Sequence, residues 1–222
     1  MVDMDSEIVP SVRAYNQKDD VLVGINEPLE RSSLLDFWSW AFSDLCDDDI
    51  KGIFAEWMVL KLLGIPSTRR VSWANSDLIT KSEVGIEVKS TSYWQSWKLI
   101  DGFGKVREIP SHPLPPDAKI AFHGLMARDS TDVSVSSDKQ TFKSKLYVFA
   151  FQHEKDWHRW NAMDLSQWEF YLVPSRKLKY GSISLPSLQS LNKGPYTAVE
   201  FQEKATEAIQ AISKRQTEET TS

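Results

Sequence analysis

The chain has 222 residues, 41% hydrophobic and 26% charged, enough apolar material for a full core and for one elaborated domain rather than two. Its formal net charge of -5 argues against a surface that attracts a polyanion everywhere. A lone cysteine, Cys46, excludes an internal disulfide, and the lack of an 18-residue apolar run or a signal-peptide pattern makes a cytoplasmic protein without membrane contact the expectation.

In chain order, residues 1–29 show no clear periodicity and read as an arm. Ser33 to Leu45 predicts a helix whose face carries Leu34, Phe37, Trp38, Ala41, Phe42 and Leu45. A second helix starts at Asp47-Asp48-Asp49, which offer N-cap oxygens and favourable charge. It continues through Ile50, Ile53, Phe54, Trp57, Leu60 and Leu63 and stops at Gly64 and Pro66. Asn75 to Ser90 reads as two short strands joined by a polar turn. With the turn centred on Ser82, Thr80 pairs with Val84 and Asp77 falls opposite Glu87, where Cβ atoms of paired residues are about 4.5 to 5.5 Å apart. Alternation then puts Val84, Ile86 and Val88 on a core face and Gly85, Glu87 and Lys89 on the other.

Beyond the hairpin, Thr91 to Leu99 looks helical or turn-like, and 101–119, with Gly102, Gly104 and four prolines, reads as a loop. Residues 128–144 suggest an exposed hairpin or flap. Leu146 to Phe151 and Trp168 to Val173 predict strands, the first nearly all apolar and so central in its sheet. Thr197 to Ser213 predicts a closing amphipathic helix, and 214–222 a disordered tail. Together these elements predict an α/β fold, a central mixed sheet flanked by helices, in one domain over 1–213 with its core at about 33–174.

Two carboxylates sharing a half-buried place repel each other and cost several kcal/mol unless something neutralises them. A hard divalent cation does so. Mg²⁺ takes a few carboxylate oxygens, keeps several waters and is completed by a substrate phosphate, which suits Asp77 and Glu87 with no His or Cys nearby. Lys89 stands where it holds or deprotonates an attacking water. The chemistry these residues imply is metal-assisted phosphodiester hydrolysis.

Asp77, Glu87 and Lys89 in this arrangement resemble the motif of the PD-(D/E)XK nucleases, the restriction-endonuclease-like superfamily, over roughly Asp49 to Lys98. Ser76 stands where the motif has Pro. The resemblance implies a restriction-endonuclease-like core with C-terminal elaborations and Mg²⁺, replaceable by Mn²⁺, held by Asp77, Glu87 and the Val88 carbonyl. It further implies an added acidic residue, Glu56, on the preceding helix, and a Gln after the Lys, here Gln95. The expected activity is that of an endonuclease acting on DNA more than RNA, in a restriction, mobile-element or phage-defence setting.

The distribution of charge bears on that expectation. Residues 1–56 carry 4 Lys and Arg against 13 Asp and Glu, residues 57–107 carry 8 against 4, and residues 108–222 carry 14 against 14. The basic excess coincides with the motif, so Arg69, Arg70, Ser90, Gln95 and Lys98 are the expected substrate contacts, with Lys105 and Arg107 as further phosphate candidates. Trp94 and Trp97 either stack on an unpaired base or, the better reading, pack in the core. His112, His123, His153 and His158 form no ligand cluster in the sequence. The alternative is a non-catalytic module of the same fold that holds a protein partner, favoured by the acidic surface; a homodimer is also compatible.

Overall fold

The computed structural model describes residues 22, 33–66, 70, 74–96, 105, 120–128 and 140–220. The chain forms two compact units, Met1–Asp44 and Leu45–Ser222, where one domain was expected. In the first, helix α1 (Leu34–Phe42) starts at a capping box. The Ser33 side chain accepts from the Asp36 N–H and Asp36 Oδ2 accepts from the Ser33 N–H, satisfying two donors that the helix cannot.

The second unit is built on a mixed four-stranded sheet in the order β1 (Leu78–Ile79), β2 (Gly85–Ser92), β6 (Leu146–Gln152), β7 (Trp168–Pro174). β1 runs antiparallel to β2, β2 parallel to β6, and β6 antiparallel to β7. Short pairs lie outside it: β3 (Ala121–Phe122) with β8 (Ile183–Ser184), and β4 (Ala127–Arg128) with β5 (Gln140–Thr141). The last pair brackets the expected hairpin, whose tip lies outside the described residues. Helices α2 (Asp48–Leu62), α3 (Leu185–Gln189) and α4 (Ala198–Thr220) complete the unit. Among the described residues no helix is long and apolar enough to cross a membrane.

Alternation along the strands makes two cores. On one face, Val84, Ile86 and Val88 join Val148, Ala150, Phe170 and Leu172 beneath Ala55, Met58 and Val59 of α2 and Phe201 and Ala205 of α4. On the other, Tyr147, Phe149, Phe151, Tyr171 and Val173 pack against Phe122, Leu125, Leu178 and Leu188. Every residue of β6 is buried because both its faces are covered.

Several boundaries differ from those expected. β2 continues to Ser92, so Thr91 is extended rather than helical. α4 continues to Thr220, past Ser213 and through most of the expected tail. In α2 the Asp47 side chain caps the start, accepting from Asp49 and Ile50 N–H at 3.0 and 3.2 Å, and Gly64 at φ 62 follows the end as predicted. Its buried stripe, however, is Lys51, Ala55, Met58, Val59 and Leu60, while Ile53 and Trp57 are exposed. The small Ala55 and the long apolar stem of Lys51 are what the sheet accommodates, and the bulkier side chains are turned outward.

Candidate active site

The β1–β2 hairpin brings the acidic pair together. Thr80 closes the turn: its N–H donates to the Val84 carbonyl (3.1 Å), and its Oγ1 accepts from the Val84 N–H (3.0 Å). Leu78 then stands opposite Ile86 and Ile79 opposite Gly85, and one more step of that register sets Asp77 against Glu87, as predicted. Asp77 Oδ2 accepts from the Val88 N–H at 2.8 Å, so beyond the end of β1 its side chain continues the ladder that the backbone no longer supplies. Lys89 is next along the same face and pairs with Glu87, Nζ to Oε1 at 2.8 Å.

Neighbouring elements close around this pair. A Cβ at Gly85 would collide with Ser76 Oγ, so the glycine makes room for the residue that stands in place of the motif's Pro. Ser144, buried just before β6, lies 2.8 Å from Ser76 Oγ and 3.4 Å from Glu87 Oε2. Tyr147, opposite Glu87 in the parallel register, donates its hydroxyl to the Leu125 carbonyl at 2.7 Å. Burial, with Glu87 adding to it, pushes that phenol up to about 12. Ser144 and Tyr147 were not expected here, since only the β2–β6 pairing puts them beside the motif.

Electrostatics set Asp77 apart from its neighbours. Its carboxyl is pushed up to about 7, first by burial and then by Glu87, with Glu56 adding to the rise; the Val88 N–H and Lys89 pull the other way. Glu56 is not the solvated helix residue its border position allows. Its side chain is 13% exposed and grips Arg70, Oε2 to Nε at 2.6 Å and Oε1 to Nη2 at 2.8 Å. That bidentate pair holds the Arg70 guanidinium above its ordinary value, with Asp77 contributing at longer range.

The other expected contacts divide. Ser90 is half-buried on β2, beyond Lys89. Gln95 is in a separate cluster around Lys51, a lysine only 2% exposed. Lys51 Nζ donates to Asp48 Oδ1 (2.8 Å) and Ser92 Oγ (3.1 Å), and the Gln95 amide nitrogen, turned towards Asp48, donates to Oδ2 at 2.8 Å. Trp94 is 1% exposed and packs edge-on against Trp157 beside Cys46, which removes it as a base-stacking surface. Arg69, Trp97, Lys98, Arg107, His112 and the Gly102–Gly104 turn lie outside the described residues.

Asp77 and Glu87 present two carboxylates without a His or Cys. Among the described residues no three of His, Cys, Asp and Glu are grouped as an all-protein metal site would need. A two-carboxylate place that disfavours its own ionisation suits a hard cation that retains water, and does not suit Zn²⁺. No family model, curated protein or solved structure matches the chain.

Proposed function

We propose that the chain is a divalent-metal-dependent nuclease with a restriction-endonuclease-like core, hydrolysing phosphodiester bonds in DNA in preference to RNA. The observation that carries this reading is Asp77 set against Glu87 with Lys89 next on the same strand face, the acidic pair lacking one positive charge for full ionisation. Asp77, Glu87 and the Val88 carbonyl are the groups that would hold Mg²⁺ or Mn²⁺. The N–H and C=O of a strand residue point to the same edge, so that carbonyl is directed to the side on which Asp77 reaches the Val88 N–H. When bound, the ion supplies a Lewis acid for the phosphate and lowers the pKa of a water.

The protein's own groups do the rest. Lys89, oriented by Glu87, donates to the attacking water or to the phosphate oxygens as negative charge grows on them. The Val88 N–H fixes the Asp77 carboxylate, so the water and the phosphate meet a prearranged site rather than one that must reorganise. The basic excess of residues 57–107 supplies phosphate contacts on an otherwise acidic chain.

Lys89 separates chemistry from metal binding. Lys89→Ala should bind Mn²⁺ by calorimetry no more weakly than the parent while cleaving DNA about 10² to 10⁴-fold more slowly, the usual contribution of a positioned acid-base group. Lys89→Arg should recover only part of that rate, because the planar guanidinium cannot occupy the same point. Cleavage by Lys89→Ala at the parental rate would reduce the motif to coincidence.

A further inference from the structure

The neighbourhood of Asp77 holds three carboxylates, Asp77, Glu87 and Glu56, and two cations, each committed to one acid: Lys89 to Glu87 and Arg70 to Glu56. The two pairs differ in what surrounds them. Lys89 and Glu87 are both largely enclosed, whereas the Glu56 side chain is enclosed and Arg70 is 45% exposed. The guanidinium of Arg70 is therefore the one charged group of the Glu56–Arg70 pair that can turn to solvent without being replaced by a void. Glu56 is also near enough to Asp77 to raise it.

Resting on the nuclease reading, we propose that Arg70 is a latch between metal and substrate: a divalent cation at Asp77 and Glu87 draws Glu56 away from Arg70, and the released guanidinium takes a phosphate of the nucleic acid. The bidentate geometry that grips a carboxylate matches a phosphate equally well. Charge explains why one event drives the other. With Glu56 held by Arg70, the cation meets two carboxylates; with Glu56 released, it meets three, and the freed positive charge finds an anion in the substrate instead. Metal binding thereby raises affinity for nucleic acid, and by linkage nucleic acid raises affinity for metal.

The test uses the full chain, Ca²⁺ as the cation and a short duplex DNA as the anion. Arg70→Ala should bind Ca²⁺ about two- to fivefold more tightly than the parent by calorimetry, the range that a half-exposed ion pair supports. Arg70→Lys, which keeps the charge but loses the bidentate grip, should also tighten binding. If Arg70→Lys matches the parent while Arg70→Ala tightens, simple charge repulsion accounts for the result and the latch is wrong. The second readout is the slope of log K for duplex against log salt. Parent and Arg70→Ala should differ by about 0.9, one phosphate contact, in Ca²⁺ and not in EDTA. An equal difference in both conditions makes Arg70 a permanent phosphate contact and overturns the latch, leaving the nuclease reading intact. No Ca²⁺ binding by the folded parent would overturn both.

Discussion

Asp77 is the residue whose environment is most out of keeping with its ordinary behaviour, and its titration yields a signed prediction. Its carboxyl at about 7 in the folded chain, against an ordinary 3.8, means that folding favours the neutral acid. The stability so contributed is fully present below about pH 4 and is lost as pH rises to about 7, up to about 4 kcal/mol in all. Urea unfolding in EDTA should therefore show the parent losing stability from pH 4 to pH 7.5, with Asp77→Asn flattening that loss and being the more stable protein at pH 7.5. An Asp77→Asn variant with the parent's pH profile would show that some other group titrates. Added Ca²⁺ should restore the parent at pH 7.5, because the cation binds the ionised form. The opposition of Asp77 to Glu87 was legible because a turn centred on Ser82 fixes a register that local chemistry alone determines. The grip of Arg70 on Glu56 was not, since its two ends belong to different elements and either side chain reads equally well as solvated. Ser144 was hidden for the same reason, as nothing near Lys143-Ser144-Lys145 announces which strand β6 will join.

At the scale of elements, the β1–β2 hairpin holds the site, and two of its positions are under constraint. Glu83 sits at φ 58, a left-handed conformation that costs a residue with a Cβ about 1 kcal/mol. Glu83→Gly should raise the unfolding free energy by about 0.5 to 1 kcal/mol and leave cleavage unchanged, as measured by denaturation and a rate assay. Gly85→Ala should act in the opposite sense. Its new methyl displaces Ser76, next in sequence to Asp77, so Ca²⁺ affinity should fall; Ser76→Ala in the same chain should recover part of it by removing the Oγ that collides. A double variant as weak as Gly85→Ala would locate the damage in the backbone instead. Helix α2 presents a different constraint. Loss of the buried Lys51 Nζ strands Asp48 and Ser92, so Lys51→Ala should cost about 2 to 3 kcal/mol. The ends of α2 were legible from Asp47 and Gly64, whereas its buried stripe was not: apolarity alone favoured Ile53 and Trp57, and no pattern rule anticipates a lysine whose stem and ammonium are both accommodated inside.

For the whole molecule, the sheet order decides what meets what. The near-continuous apolar run of β6 identified it as central, and the alternation of β2 identified its two faces, but the parallel pairing of β2 with β6 depends on contacts between residues more than fifty positions apart and leaves no local trace. The same limit applies to the division at Asp44, where composition shows no break, and to α4, whose polar final turns extend a helix that the apolar spacing alone would end at Ser213. Charge is the property of the whole chain that the nuclease proposal must overcome. Neutralising Arg69, Arg70 and Lys98 together should weaken duplex binding and flatten its salt dependence by about 0.9 per lost phosphate contact, while charge reversal at Asp19 and Asp20 should leave binding unchanged or strengthen it. The central claim is tested most directly by incubating plasmid DNA with the purified parent and with Asp77→Asn, each in Mg²⁺, Mn²⁺ or EDTA. The account predicts cleavage by the parent in either metal and none in EDTA or with folded Asp77→Asn; cleavage by Asp77→Asn at the parental rate, or a folded parent that cuts no DNA in either metal, would contradict it.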